Sequence, residues 1–420
     1  MNILLITHSY WPEHSPPQRR WQALIRHLHP YGWDITVIAP VAHYSHGPDY
    51  SRRTRNAAVG PLGESIRRVP YMTGRDNRIS KVADQLFTAV GSLMRGLAAT
   101  RPDVVIVTAP ALPLMAVGWL IATIRRVPLV LEMRDAWPEL ITDSEAVWGL
   151  MRVAVNRCVE SIQNHANVVV TVTDGFAQML RERGVRHVIT IRNGVQLGST
   201  PYLSPVPYRE RLEVLYLGNH GESQGLERLI DAAALVGPVM RLTLVGQGSR
   251  KTALMAYAAC HGAPVRFLDP VFREEVFTHY EQADSLVISL RDDWKSFDVT
   301  VPSKTYEVMS VGRHITAVVK GEAAQVLHDA GTGHIVSGEA AHIAQAWQAL
   351  AENRQLLNVN DAGRRWVADH ADYKDLAVQY DQLLRGLLAH GPSAASGRKT
   401  TRPMRHTTRR PGDTGRAKPH

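Results

Sequence analysis

Short runs of β-branched and aliphatic residues recur along the chain, each followed by a longer stretch with helical spacing of its apolar residues. In the first half the runs are Ile3–Ile6, Ile35–Ile38, Val104–Val107, Leu129–Leu131, Val168–Val172 and Val188–Ile191. Continuous rather than alternating apolar runs suit strands buried on both faces, so the pattern predicts βαβ units and a parallel sheet covered by helices. A Pro-rich passage from Thr200 to Pro207 interrupts it, and the alternation resumes with Val214–Leu217, Leu242–Val245, Val265–Leu268, Leu286–Ser289 and Ile315–Val318. From Ala341 to Leu388 helical periodicity stands alone. At 420 residues the chain exceeds what one core usually serves. The expectation is two α/β domains, residues 1–200 and 208–370, followed by a tail at 391–420. Arg52 to Asn77 reads as an irregular basic loop.

Val104 to Ile124 runs 21 residues without a charge, long enough to span a bilayer. Pro110 and Pro113 would each remove a helical N–H from a single helix, so the run is read as buried strand, turn and helix. Ile79 to Leu97 has apolar residues at helical spacing beside Lys81 and Arg95, a pattern that suits an interfacial helix and a core-facing one equally.

Composition narrows the class: 45 % apolar and 21 % charged residues are the balance of a globular protein. The formal charge of +9 suggests nucleic acid until it is located along the chain. Residues 391–420 hold eight Lys/Arg against Asp413, which leaves the body near +2 and no expected nucleic-acid partner. The tail has almost nothing to bury and is expected to be disordered, either a solvated appendage or a tether to an anionic membrane surface. Cys158 and Cys260 carry no zinc or disulfide pattern, which fits a reducing cytoplasm, and the first apolar run lacks the basic flank of a secretory signal.

Open parallel sheets bind ligands at the carboxyl ends of their strands. Val214–Leu217 leads into Gly218-Asn219-His220-Gly221-Glu222-Ser223-Gln224-Gly225, whose glycines allow close backbone approach; a phosphate cradle and a plain turn both fit. Gly246-Gln247-Gly248 lacks a third glycine and reads as turn chemistry. Val301-Pro302-Ser303-Lys304-Thr305-Tyr306-Glu307 opens a helix, Pro302 suiting its first turn. There Ser303 and Lys304 can hold a diphosphate and Glu307 a ribose diol, or Lys304 and Glu307 can form a solvated i,i+3 pair.

In combination, Asn193-Gly194, Gly218-Asn219-His220-Gly221, Gln224-Gly225-Leu226-Glu227, Pro302-Ser303-Lys304 to Glu307 and Gly321-Glu322-Ala323-Ala324 resemble the retaining GT-B glycosyltransferases of family 4. Arg134-Asp135-Ala136-Trp137-Pro138-Glu139 is similar to the Arg-Asp-x-Trp-Pro-Glu signature of the branch that builds bacterial O-antigen, capsule and exopolysaccharide. The resemblance covers roughly residues 1–388. It implies two Rossmann-like domains facing a cleft, with the last helix, 371–390, crossing back to the first. It also implies a nucleotide-sugar donor, UDP-linked on family frequency, and a polyprenyl-diphosphate-linked saccharide acceptor at the inner membrane face, with the protein cytoplasmic and peripheral. Carried over by position, Lys304 binds the donor diphosphate with Gly218, Asn219, Gly221, Gln224 and Ser303, and Glu307 binds the ribose. Leu268 and Val271 end the base-binding strand, ahead of Arg273 to Glu281. His8, Arg19 and Arg134 stand on the acceptor side, and Arg134 and Asp135 join Lys304 and Glu307 as catalytic candidates. Transfer would retain anomeric configuration by front-face attack, the leaving diphosphate accepting the acceptor's proton.

The chain departs from the family pattern in three places. The first Glu of the usual Glu-x7-Glu falls at Val299, Gln224 stands where many relatives have Lys, and Ser15-Pro16-Pro17 replaces a Gly-rich loop. No Asp-x-Asp pair occurs, so turnover without metal or other cofactor is expected. The competing readings are a non-catalytic scaffold of a polysaccharide assembly complex and a GT-B sugar-nucleotide epimerase.

Overall fold

The computed structural model describes residues 1–42, 58–71, 78–109, 111–136, 149–203, 208–272 and 274–390. Trp137, Pro138, Glu139, Arg273 and the basic tail lie outside these residues.

The first sheet contains β1 (Asn2–Ile6), β2 (Asp34–Pro40), β3 (Ser65–Val69), β4 (Val104–Thr108), β5 (Leu129–Met133), β6 (Val168–Thr171) and β7 (Val188–Thr190). Its order is β3-β2-β1-β4-β5-β6-β7, with every pairing parallel. Ile3 lies opposite Ile35 on one side and Val104 on the other, so the apolar runs of the sequence sit side by side in the core. The connecting helices are α1 (Pro16–Leu28), α2 (Arg78–Leu97), α3 (Leu112–Arg125), α4 (Gly149–His165) and α5 (Asp174–Glu182).

The second sheet contains β8 (Leu212–Leu217), β9 (Met240–Val245), β10 (Val265–Leu268), β11 (Ser285–Ser289), β12 (His314–Val318) and β13 (His334–Ile335). They run parallel in the order β10-β9-β8-β11-β12-β13. Around it stand α6 (Glu227–Val236), α7 (Lys251–Cys260), α8 (Glu274–Gln282), α9 (Lys304–Ser310), α10 (Gly321–Asp329) and α11 (Ala340–Glu352), then α12 (Ala362–His370) and α13 (Tyr373–His390). Strand order reverses between β1 and β4 in one sheet and between β8 and β11 in the other. These reversals are where open α/β sheets leave crevices for ligands. Two parallel-sheet Rossmann-like units of this kind make a GT-B architecture.

The chain passes between the units twice, and the two passages pair. Val195 N–H donates to the Ala371 carbonyl at 2.9 Å and Tyr373 N–H donates to the Val195 carbonyl at 3.1 Å. Beyond that bridge α13 packs on α1 of the first unit, where Trp33 Nε1 donates to Asp381 Oδ1 at 2.7 Å.

The uncharged run from Val104 divides into β4 and α3, with Pro113 in the first turn of the helix, where its missing N–H costs nothing. No described helix is long and apolar enough to cross a membrane. The Arg52–Asn77 passage, expected as an irregular loop, contains β3. Arg67 and Arg68 hid the strand, but the buried Arg68 guanidinium donates to the Pro40 and Trp11 carbonyls, so its charge does not exclude it from the sheet. Cys158 and Cys260 are both free and exposed.

Candidate active site

At the reversal in the second sheet, β8 delivers the Gly218–Gln224 loop. The loop is clamped onto the turn after β9: Gly218 N–H donates to Val245, His220 N–H to Gln247, and Arg250 N–H to the His220 carbonyl, at 2.9–3.0 Å. Glycine is required in that turn because a Cβ on Gly246, at φ +151, would fall 1.8 Å from the Gly218 carbonyl oxygen. The Gly246-Gln247-Gly248 turn thus shapes the neighbouring loop from beneath. Within the loop, Gln224 Oε1 accepts from Gly221 N–H at 3.2 Å and the Asn219 amide lies over Gly221. His220 is fully buried under the loop; burial, with the Lys251 ammonium nearby, lowers its pKa to about 4 and keeps it neutral.

Lys304 and Glu307, one turn apart on α9, are not a solvated pair. Lys304 Nζ donates to Glu307 Oε1 at 2.8 Å and to the Tyr280 hydroxyl of α8 at 3.1 Å, while the Tyr280 hydroxyl donates to Glu307 Oε1 at 2.5 Å. The Lys304 and Glu307 side chains keep only 21 % and 22 % exposure. Burial pushes the Glu307 carboxyl up, but the Lys304 ammonium and the Tyr280 hydroxyl outweigh it and hold it below the usual carboxylate range. Burial lowers Lys304 from its ordinary pKa against the pull of Glu307, and burial beside Glu307 keeps the Tyr280 hydroxyl protonated. Ser303 immediately precedes α9, its side chain making no capping hydrogen bond.

Lys304 and Glu307 line a cavity of ≈ 240 Å³ between the two units, with Tyr280 bonded to them from outside its wall. Arg19 and Arg26 of α1, Asn193 and Gln196 of the linker, and Phe277 of α8 line the rest, together with Ser303. Asn193 is 5 % exposed, and its side-chain oxygen has no hydrogen-bond partner. Nearby, the His14 ring of the first unit meets Phe272 of the second with centroids 4.8 Å apart. Leu268 ends β10 as expected, but its carbonyl already accepts from Gly246 N–H at 3.2 Å and Lys251 Nζ at 3.0 Å. Val271 packs against the core of the second unit.

The other candidates lie apart from this cavity. Arg134 and Asp135 follow β5, and His8 follows β1, at the ligand-facing end of the first sheet. Burial lowers the Arg134 pKa and raises that of Asp135, and the Arg134 Nε has no hydrogen-bond partner. What fixes this end of β5 is Glu132, fully buried. Its carboxylate accepts from Arg20 Nε and Trp21 Nε1, each at 2.8 Å, and from the Tyr380 hydroxyl of α13. Arg20 also donates to the Ile191 carbonyl at 2.8 Å and to the Arg192 carbonyl. Arg20 is therefore internal, while its neighbour Arg19 shares the cavity wall with Lys304. A further cross-unit contact escaped the sequence: Glu322 of α10 accepts from the Asp174 and Gly175 N–H groups at the start of α5, both at 2.7 Å.

Tyr280, Phe277 and Glu132 carried no individual signal, because each acquires its role from a partner distant in sequence; Asn193 and Glu322 lay within the quoted motifs, but nothing in those motifs pointed to the cavity wall or to the cross-unit contact. Among the described residues no cluster of three or more His, Cys, Asp or Glu could hold a metal ion.

Residues 17–194 match the family described as glycosyl transferase 4-like domain, and residues 211–353 match glycosyl transferases group 1. No curated protein sequence matches. Among solved structures, sucrose-phosphate synthase from Thermosynechococcus elongatus is similar with a TM-score of 0.72 at 17 % identity, covering 92 % of this chain and 99 % of that one. Anabaena Alr3699/HepE in complex with UDP-glucose gives 0.67 at 17 % identity, covering 92 % and 100 %. The lipopolysaccharide outer core galactosyltransferase WaaB gives 0.59 at 13 % identity, with the same coverage of 92 % and 100 %. At these identities the likeness is one of fold.

Proposed function

The chain belongs to the glycosyltransferases assembled from a glycosyl transferase 4-like domain and a group 1 domain, and from that premise we propose a specific reaction. It transfers a sugar, with retention of configuration, from a nucleotide diphosphate donor to a lipid-linked saccharide during surface polysaccharide synthesis. The observation that carries the donor half is the pair Lys304 and Glu307 at the wall of the interdomain cavity, both bonded to the Tyr280 hydroxyl. An ammonium and a carboxylate held in register by a third side chain are preorganised, so little is lost in ordering them around a diphosphate and a ribose.

In this reading Lys304 holds the diphosphate with Ser303 and the Gly218–Gln224 loop, which faces the crevice where strand order reverses. Glu307 receives the ribose hydroxyls. The diphosphate, as it leaves, takes the proton of the attacking hydroxyl on the same face, so no protein nucleophile is needed. Arg134 and Asp135 orient the acceptor at the mouth of the first sheet, with His8 beside them, and no metal takes part. A uracil base is supported by the similar Anabaena HepE, captured with UDP and with UDP-glucose.

The acceptor half rests on the first domain's surface. On α2, Val90 and Met94 are 60 % and 68 % exposed, and Ile124 at the end of α3 is 53 % exposed. Exposed Arg95 and Arg126 lie beside them in sequence. Apolar side chains rimmed by cations suit a membrane carrying anionic lipid, to which the basic tail adds charge. The similar WaaB, a lipopolysaccharide galactosyltransferase by name, supports a surface-glycan acceptor.

The test is nucleotide release from a panel of UDP- and GDP-sugars with a polyprenyl-diphosphate saccharide, in the presence of a chelator. Release of one nucleotide with an extended saccharide supports the reading. No nucleotide release from any donor, together with capture of assembly enzymes, favours the scaffold; an altered sugar on an intact nucleotide favours the epimerase.

A further inference from the structure

The Lys304 ammonium, already balanced by Glu307 at 2.8 Å, leaves a diphosphate in the proposed site short of positive charge. The cations flanking the Gly218–Gln224 loop do not supply it. Arg228 is bound to the Gly225 and Leu290 carbonyls and to Asp292, and Arg250 to Glu227. Lys251 is bound to Asp269 and two carbonyls, and Arg291 to Glu222 and Asp293.

Across the cavity the situation differs. Arg19 is exposed, lines the same cavity as Lys304 and Glu307, and forms no side-chain hydrogen bond or ion pair with the described residues. It stands in the first turn of α1, a helix with no acidic residue there, so its charge opposes the helix dipole rather than complementing it. The backbone at that helix start offers an anion nothing. Pro16 and Pro17 have no N–H, Gln18 N–H donates to the Ser15 hydroxyl at 3.3 Å, and Arg19 N–H donates to the Ser15 carbonyl at 2.9 Å. A helix start that has lost its amide donors and gained an unpaired guanidinium recognises anions through the side chain.

We propose that Arg19 grips the donor's diphosphate from the first domain, so that the diphosphate lies between Arg19 and Lys304 and ties the two domains together. The assignment rests on the donor reading above, and it moves Arg19 from the acceptor side to the donor. Arg26 does not share the role, because its guanidinium is bound to Gln196 at the linker.

The experiment is calorimetric binding of UDP, UMP, GDP and GMP to the full-length protein, to Arg19→Ala, to Arg19→Lys and to Lys304→Ala, with thermal melts as a folding control. Arg19→Ala is expected to lower the diphosphate-to-monophosphate affinity ratio at least tenfold, Arg19→Lys to recover part of it, and both to melt like the wild type. An unchanged ratio in Arg19→Ala, while Lys304→Ala loses diphosphate binding, overturns the role of Arg19 and leaves the donor site standing. A wild-type ratio near one means that the second phosphate is not gripped from either side, and overturns the role of Arg19 together with the diphosphate role of Lys304. Failure of the wild type to bind either diphosphate instead removes the donor reading on which the inference rests.

Discussion

Replacing Glu132 with alanine strikes the network that joins α1, β5, the end of β7 and α13. The guanidinium of Arg20, 0 % exposed, would lose its counter-charge, and Trp21 Nε1 and the Tyr380 hydroxyl would lose their acceptor. Removing one partner of a buried ion pair costs about 3–5 kcal/mol. Each orphaned neutral donor adds about 1–3 kcal/mol where water cannot reach it. A loss of roughly 5 kcal/mol or more is a large part of a domain's typical ~5–15 kcal/mol. Glu132→Gln keeps the shape and one acceptor oxygen but not the charge, and is expected to cost about 3 kcal/mol. The double variant Arg20→Met, Glu132→Leu removes both charges and should be more stable than Glu132→Ala. The assay is urea unfolding followed by tryptophan fluorescence, with limited proteolysis reporting release of α13. A first-domain transition that moves by less than about 1 kcal/mol in Glu132→Ala, or a double variant no better than the single, would refute the reasoning.

Other outcomes follow from particular contacts. His220 and His314 are buried, and burial lowers each from 6.5 to about 4, so between those values the unfolded chain binds more protons than the folded one. Stability should therefore fall as pH drops from 6.5 toward 4, by about 1.4 kcal/mol per pH unit for each histidine; urea midpoints unchanged between pH 7 and 5 would contradict this. Gly246→Ala puts a methyl 1.8 Å from the Gly218 carbonyl oxygen at a φ that alanine resists. It should lower the melting temperature by the equivalent of about 2 kcal/mol and weaken nucleotide binding, and a wild-type melt would count against it. Glu322→Ala removes a carboxylate bound to two N–H groups of the other domain at 2.7 Å. Small-angle scattering should show a larger radius of gyration, whereas an unchanged curve with one cooperative melt would mean the contact does not hold the domains together.

The strands were legible because a sheet buried on both faces demands runs such as Val104–Val107 and Val168–Thr171, which few other environments tolerate. β3 was not, since two consecutive arginines read as solvent-exposed until Arg68 finds carbonyl acceptors from two other segments. Lys304 and Glu307 were legible because their spacing on a helix brings them together locally. Tyr280 was not, because its hydroxyl meets them only when α8 packs against α9, 24 residues from Lys304 in sequence. The same reason hid Glu132 from Arg20 and Tyr380, separated by 112 and 248 residues. Arg19 and Arg20 show the limit most plainly: adjacent and chemically identical, they project about 100° apart around α1, Arg20 into the core and Arg19 into the cleft.

The central claim is that the Lys304 cluster is a nucleotide diphosphate site, and calorimetry of UDP and GDP with wild type and Lys304→Ala in a chelating buffer tests it most directly. The expected result is binding of one nucleotide by the wild type, weakened at least tenfold, about 1.4 kcal/mol, in a variant that remains folded. Binding of neither nucleotide by the folded wild type, or equal binding by Lys304→Ala, would contradict it.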